Sequence, residues 1–96
     1  MKLTRELTVK NQAGFHLRVA SMISKLAMNV QSEVFLTFGS YKADCKSCFD
    51  LLAVMAPCGS VLTLDVEGDD AIEIADTITD MFEKKFFEDE FAPQET

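Results

Sequence analysis

The length, composition and charge of this chain limit what it can be. Its 96 residues amount to one domain, and a hydrophobic content of 48% is enough for a core. The net charge of −7 argues against nucleic acid as a partner, because phosphates require a basic surface. The same charge permits protein partners with basic docking surfaces.

Membrane insertion and export are also not expected. The sequence has no apolar run of about 18 residues, the minimum for a transmembrane helix, so we expect no membrane partner. The polar start, MKLTRELTVK, lacks the apolar region of a secretory signal. Three cysteines, an odd number, then predict reduced thiols in a cytoplasmic protein.

The first half of the chain predicts one helix among three strands. Alternation in residues 3–9 predicts a strand with one solvent-facing side, and a loop of turn formers, NQAG, follows it. From residue 17 to about residue 28 the apolar period becomes helical. Residues 33–38 and 41–45 alternate again, and the Gly-Ser pair between them predicts a tight antiparallel hairpin.

A second helix is predicted within residues 46–59. Ser47 stands three residues before Asp50, a variant of the capping box that marks helix starts. Pro57 and Gly59 are expected to end this helix. Its inward-facing side chains are expected to be Phe49, Leu52 and Val54.

The remaining residues predict a strand, a helix and a tail. The run SVLTLDVEG predicts a fourth strand, with apolar residues Val61, Leu62, Leu64 and Val66. Residues 69–86 form the clearest helix, because acidic residues open it and lysines stand near its end, both favourable to the helix dipole. Phenylalanines are unusual in a free tail, so three are candidates for a partner or self-association surface: Phe86, Phe87 and Phe91.

The predicted order of elements is β-α-β-β-α-β-α. Four strands with one solvent-facing side, together with amphipathic helices, predict an α+β fold of two layers. We assign residues 1–87 to a single domain and residues 88–96 to an acidic C-terminal tail.

The only histidine of the chain, His16, stands where the NQAG loop becomes a helix. A single histidine is usually a surface or capping residue, but the first N–H groups of a helix lack partners and bind phosphate. Arg18 adds a charge that can fork onto phosphate oxygens, and Gly14 lets the loop backbone approach closely. Because neutral imidazole is a nucleophile, a phosphoryl group on His16 would lie in an anion site.

Residues 2 to about 87 resemble the HPr family, the histidine-containing phosphocarrier proteins of the phosphoenolpyruvate-dependent phosphotransferase system. Gly14, His16 and Arg18 match the spacing of the family's G-x-H-x-R-P site. The order of strands and helices is also that of the family, an open-faced β-sandwich whose four-stranded antiparallel sheet is covered on one face by three helices. Other matching positions lie at the second and third helices: Lys46, Ser47, Gly59, Gly68, Asp70 and Ala71.

The resemblance implies a phosphoryl carrier rather than a stand-alone enzyme, without a cofactor or metal. His16 would accept a phosphoryl group on Nδ1 from phosphorylated enzyme I and pass it to a IIA domain of a transporter or regulator. Arg18, Gly14 and the first N–H groups of the helix, including that of Leu17, would bind the phosphate. Ser47 would match the serine that HPr kinase/phosphorylase modifies in some bacteria, or it would be only a helix cap.

Two departures from the family pattern lie beside His16. The usual alanine is Leu17, and the usual proline is Val19, so a rigid first-turn residue is lost and an N–H is restored. A regulatory phosphotransfer chain is therefore an alternative to sugar transport. A degenerate HPr-fold interaction module without phosphotransfer is another.

The cysteines offer a third, lesser alternative, a thiol or zinc protein. Cys45 and Cys48 form a C-x-x-C pair at a predicted helix start, where thiolates are stabilised, and Cys58 and His16 would complete four zinc-type ligands. The HPr order places Cys45 at a strand end and Cys58 beyond the helix, so nothing brings them together. We interpret the cysteines as small hydrophobic side chains.

Overall fold

The computed structural model of the chain describes residues 1–88. Strands and helices follow one another in the predicted order. The elements are β1 (Lys2–Thr8), α1 (Leu17–Met28), β2 (Glu33–Phe38), β3 (Tyr41–Asp44), α2 (Cys48–Leu52), β4 (Val61–Glu67) and α3 (Ala71–Glu83), and a 3-10 turn, Lys85–Phe87, follows α3. No helix in this described part is long and apolar enough to cross a bilayer.

The sheet has the strand order β1-β4-β2-β3, and all neighbouring strands are antiparallel. On the packed face, Leu36 of β2 lies opposite Leu64 of β4. Side chains alternate between the two faces of a strand, so Leu62 and Val66 are also buried, whereas Val61 is 52% exposed. The sheet therefore has the predicted solvent-facing side, but Val61 lies on that side and not with the apolar residues of its strand.

The helices cover the other face, which confirms the predicted α+β fold of two layers. Their apolar stripes enter one continuous core. The buried residues of α1 are Val19, Ala20, Ile23, Ser24 and Ala27. Those of α3 are Ala71, Ile74, Ala75, Ile78 and Phe82.

The second helix, α2, is shorter than the sequence predicts. It ends at Leu52, with Ala53 as its C-cap, so Pro57 and Gly59 lie beyond the helix and do not end it. Met55 adopts a left-handed φ of 48°, and the chain leaves the helical path there without a glycine. Residues 53–60 are therefore a connection between α2 and β4.

The prediction that Phe49 faces the core is wrong. Leu51 is the buried residue of α2, whereas Phe49 is 84% exposed. Two residues correspond to about 200° around a helix, so Phe49 faces solvent when Leu51 faces inward. Leu52 is half-buried and Val54 is buried, as the sequence predicts.

The chain turns sharply after α3. Lys85, Phe86 and Phe87 adopt left-handed φ angles of 56°, 52° and 57°, which cost a residue with a Cβ about 1–2 kcal/mol each. Phe86 is fully buried and packs edge-on against Phe82, with the ring centroids 4.7 Å apart. Burial of its side chain contributes about 2–3 kcal/mol and offsets part of this strain.

Phe86 is therefore a core residue, and the prediction that it marks a partner surface is wrong. Phe87 is half-buried beside the Lys84 ammonium, which lies 5.9 Å from the centre of its ring. Of the predicted acidic tail, the structure describes only Glu88; Phe91 and the rest of the tail lie outside the described residues. We call residues 84–88, which follow α3, the strap.

Candidate functional site

His16 is the N-cap residue of α1. Its backbone is extended, with φ −131° and ψ −173°, and its carbonyl oxygen accepts the first helical hydrogen bond, from the Ala20 N–H at 2.9 Å. Its Nδ1 accepts a long hydrogen bond of 3.3 Å from the Arg18 N–H. In the neutral ring this leaves the proton on Nε2 and directs the Nδ1 lone pair toward the helix start. The imidazole thus does what a capping oxygen usually does.

The loop before His16 is fixed by its own hydrogen bonds. The buried Asn11 side chain donates from Nδ2 to the Gly14 carbonyl oxygen at 2.6 Å, and the Gly14 N–H donates to the Asn11 carbonyl oxygen at 3.0 Å. The Phe15 N–H donates to the Ala56 carbonyl oxygen at 2.8 Å, which ties this loop to the connection after α2. The NQAG motif indicates only a turn, so the sequence does not predict this role of Asn11.

Gly14 has a stronger reason to be glycine than the sequence suggests. Its φ is 75°, and a Cβ there would lie 2.8 Å from the Ala56 carbonyl oxygen. The close approach predicted for Gly14 is thus made to another loop of the same chain. A contact with phosphate through Gly14 stays a prediction.

Arg18 is the half-buried second residue of α1, and its side chain reaches the strap. The guanidinium Nη1 donates a hydrogen bond to the carbonyl oxygen of Phe86 and lies 3.6 Å from the sulfur of Met22. The sequence predicts Arg18 beside His16. It does not predict that a carbonyl 68 residues away orients the guanidinium.

An acidic residue, Glu88, joins this site from the end of the strap. Its carboxylate accepts hydrogen bonds from the backbone N–H groups of Ala13 and Gln12, both at 2.8 Å. The hydrogen bond from Ala13, above all, holds the pKa of Glu88 below its usual range. The bond from Gln12 and the charges of His16 and Arg18 act in the same direction, whereas desolvation opposes them. The sequence predicts Glu88 only as the first residue of an acidic tail and gives no sign of its place in the site.

Three exposed apolar side chains stand on the segments that adjoin His16. Leu17 is 61% exposed at the first position of α1, Phe49 is 84% exposed on α2, and Met55 is 75% exposed in the connection after α2. These segments are in contact, because the loop that leads into α1 is joined to the connection after α2 through the Phe15 N–H and the Ala56 carbonyl oxygen.

Ser47 is the N-cap of α2, as the sequence predicts. Its hydroxyl accepts a hydrogen bond from the Asp50 N–H at 3.2 Å. The reciprocal half of a capping box is missing, because the Asp50 carboxylate accepts from the Asp44 N–H at 3.2 Å instead. The Ser47 N–H donates to the Asp44 carbonyl oxygen at 2.9 Å. Whether Ser47 is modified stays a prediction.

The cysteines do not form a common site. Cys45 is fully buried, and burial, helped by the charge of Asp44, raises the pKa of its thiol far above the usual range. Cys48 is half-buried and Cys58 is exposed. Within residues 1–88, no group of three or more His, Cys, Asp or Glu side chains could hold a metal ion.

Fold and site together define a class of protein: an open-faced α+β domain that presents one capping histidine, with an arginine two residues on, at a helix start. A family profile described as "PTS HPr component phosphorylation site" matches residues 3–84. The chain belongs to the HPr family, the phosphocarrier proteins of the phosphotransferase system.

Named relatives and a solved structure agree with this assignment. "Phosphocarrier protein HPr" of Treponema pallidum is 33% identical over 87 residues, which cover 91% of this chain and 99% of the relative. "Phosphocarrier protein NPr" of Shewanella violacea is also 33% identical over 87 residues, with coverages of 91% and 96%. The crystal structure of HPr-C-His from Thermoanaerobacter tengcongensis is similar with a TM-score of 0.79 at 28% identity, over 91% of this chain and 96% of the other.

Proposed function

We propose that His16 accepts a phosphoryl group on Nδ1 from phosphorylated enzyme I and passes it to a IIA domain of a sugar transporter or of a regulatory chain, in the cytoplasm. The observation that carries this proposal is the hydrogen bond from the Arg18 N–H to Nδ1. It identifies Nδ1 as the ring nitrogen with a lone pair, directed at the positive end of a twelve-residue helix.

The transfer step needs little from the protein besides position and charge. The Nδ1 lone pair forms a bond to phosphorus while the bond from phosphorus to the donor breaks, and the reverse exchange delivers the group to the acceptor. The first N–H groups of α1, those of Leu17 and Arg18, are the nearest backbone donors in sequence to the new phosphate. Arg18 can add its guanidinium by exchanging the Phe86 carbonyl for phosphate oxygens.

The surface around His16 suits two alternating protein partners. Leu17, Phe49 and Met55 offer exposed apolar side chains on α1, on α2 and on the connection after α2. The net charge of −7 would steer the chain toward basic surfaces on enzyme I and on the IIA domain.

A degenerate module without phosphotransfer is the second candidate. Val19 in place of the family's proline favours it, because the start of α1 is less rigid than in the family pattern. The intact capping geometry of His16 argues for phosphotransfer instead.

Incubation with phosphoenolpyruvate and enzyme I, followed by an acid-lability assay of the labelled protein, tests the proposal. His16→Asn is the sharpest variant, since asparagine keeps a capping oxygen but offers no nucleophilic nitrogen. His16→Ala removes both and should cost about 1 kcal/mol of stability. We expect an acid-labile phosphate on the wild type and none on either variant. Equal labelling of the folded His16→Asn protein would exclude His16 as the acceptor.

A further inference from the structure

The strap, residues 84–88, closes over the site from a fixed anchor. Phe86 is buried against Phe82, and the Lys84 N–H still bonds to the Asp80 carbonyl oxygen at 2.9 Å. Three successive left-handed residues then redirect the chain toward the loop before His16. Strained backbone of this kind persists only where surrounding contacts hold it, so the contacts of the strap identify what the strain serves.

Three hydrogen bonds of the strap engage the site, besides its contacts with α3. The Phe86 carbonyl oxygen accepts from the Arg18 guanidinium, and the Glu88 carboxylate accepts from the N–H groups of Gln12 and Ala13. The strap thus ties down both the arginine and the loop that flank the histidine.

The charge of Glu88 opposes the chemistry proposed for His16. The carboxylate is hydrogen-bonded to the loop that leads into His16, at Gln12 and Ala13, and the charges of His16 and Arg18 act on it. A phosphoryl group on His16 brings about two negative charges to this end of α1, and like charges repel. Phosphate and the Phe86 carbonyl also compete for the same guanidinium.

We propose that the strap is a self-inhibitory latch: Glu88 holds it closed over the unphosphorylated site through the N–H groups of Gln12 and Ala13, and phosphorylation of His16 opens it. The latch rests on the proposed role of His16. It adds that the free and phosphorylated forms differ in the conformation of residues 84–88, so that donor and acceptor proteins would bind surfaces of different shape.

The test uses phosphoramidate, a small donor that needs no partner protein. The Nδ1 lone pair of His16 bonds to phosphorus, the P–N bond of phosphoramidate breaks, and ammonia leaves. Glu88→Gln keeps the size of the side chain and removes its charge. Glu73→Gln is the matched control, because Glu73 is an exposed carboxylate at the opposite end of α3.

We expect Glu88→Gln to form phosphohistidine about fivefold faster than the wild type, measured by ³¹P NMR, and the gain to shrink at high salt. Glu73→Gln should react at the wild-type rate. In ¹H–¹⁵N spectra, the amide signals of Gln12 and Ala13 should move on phosphorylation of the wild type, toward their positions in unphosphorylated Glu88→Gln.

The outcomes separate the latch from the function on which it rests. A wild-type rate in Glu88→Gln, or Gln12 and Ala13 signals that stay in place on phosphorylation, would overturn the latch and leave the phosphocarrier role of His16 intact. If His16 is phosphorylated in neither protein, the proposed function falls and the latch falls with it.

Discussion

The stability of the fold depends on the absence of a side chain at Gly14, in the loop before His16, and this dependence can be measured. Its φ is 75°, and an added Cβ would lie 2.8 Å from the Ala56 carbonyl oxygen, closer than real Cβ contacts come. Gly14→Ala should therefore have two costs. The left-handed backbone costs about 1–2 kcal/mol once a Cβ is present. Displacement of the Ala56 carbonyl weakens its hydrogen bond from the Phe15 N–H and costs about 1 kcal/mol more.

Gly39 supplies the matched control for this substitution. Its φ is also left-handed, at 61°, but no atom lies within 4 Å of an added Cβ. Gly39→Ala should lose only the backbone cost, about 1–2 kcal/mol, whereas Gly14→Ala should lose about 2–3 kcal/mol. In a domain of this size 1 kcal/mol shifts Tm by about 4–8 °C, so Gly14→Ala should melt about 4–8 °C below Gly39→Ala.

Thermal and urea unfolding followed by circular dichroism measure both variants. The phosphorylation assay should also show a slower reaction for Gly14→Ala, because the loop that carries His16 must move away from Ala56. Equal losses of stability in the two variants would refute the reasoning, since they would show that the loop yields without cost at the Ala56 contact.

Three further substitutions test the site. Arg18→Ala should slow phosphoryl transfer about 10²-fold while costing only about 1–2 kcal/mol of stability through its bond to Phe86; unchanged rates would remove Arg18 from the chemistry. Val19→Pro should change the free energy of unfolding in urea by no more than about 1 kcal/mol, because a first-turn N–H needs no helical acceptor; a larger loss would contradict this. Ser47→Asp should slow phosphorylation by enzyme I with unchanged circular dichroism, whereas Ser40→Asp in the exposed β2–β3 turn should not. Equal rates in these two variants would leave Ser47 as a cap, without regulation by HPr kinase/phosphorylase.

The long helices were predictable because their periodicity is clear. In α1 and α3 the apolar residues recur at helical spacing between polar ones, and both stripes are buried as expected. The segment CFDLLAVMA carries apolar residues on nearly every side, so its pattern gives neither the inward face nor the end of α2. The helix ends at Leu52, and Met55 beyond it adopts a left-handed conformation that glycine usually adopts, so the sequence gives no signal of this turn.

Which residues of the site the sequence predicts also depends on their separation along the chain. Gly14, His16 and Arg18 lie within five residues of one another, so their spacing alone indicates a loop and helix start with an anion site. Phe86 and Glu88 reach the same place from the far end of the chain, through a turn of non-glycine left-handed residues. Local pattern carries no information about such a contact, and tertiary packing decides it.

The strand order has a consequence for how the chain folds. The first strand, Lys2–Thr8, finds its partner only in Val61–Glu67, and that same partner also supports Glu33–Phe38 from its other edge. During synthesis, the apolar side of the first strand stays exposed to water until about two-thirds of the chain has emerged. Non-local pairing of this kind closes a long loop before any contact compensates it, which slows folding and exposes an unpaired edge to other chains. We therefore expect β4 to be the strand whose arrival completes the sheet, so that no fragment ending before residue 61 can hold its first strand in place.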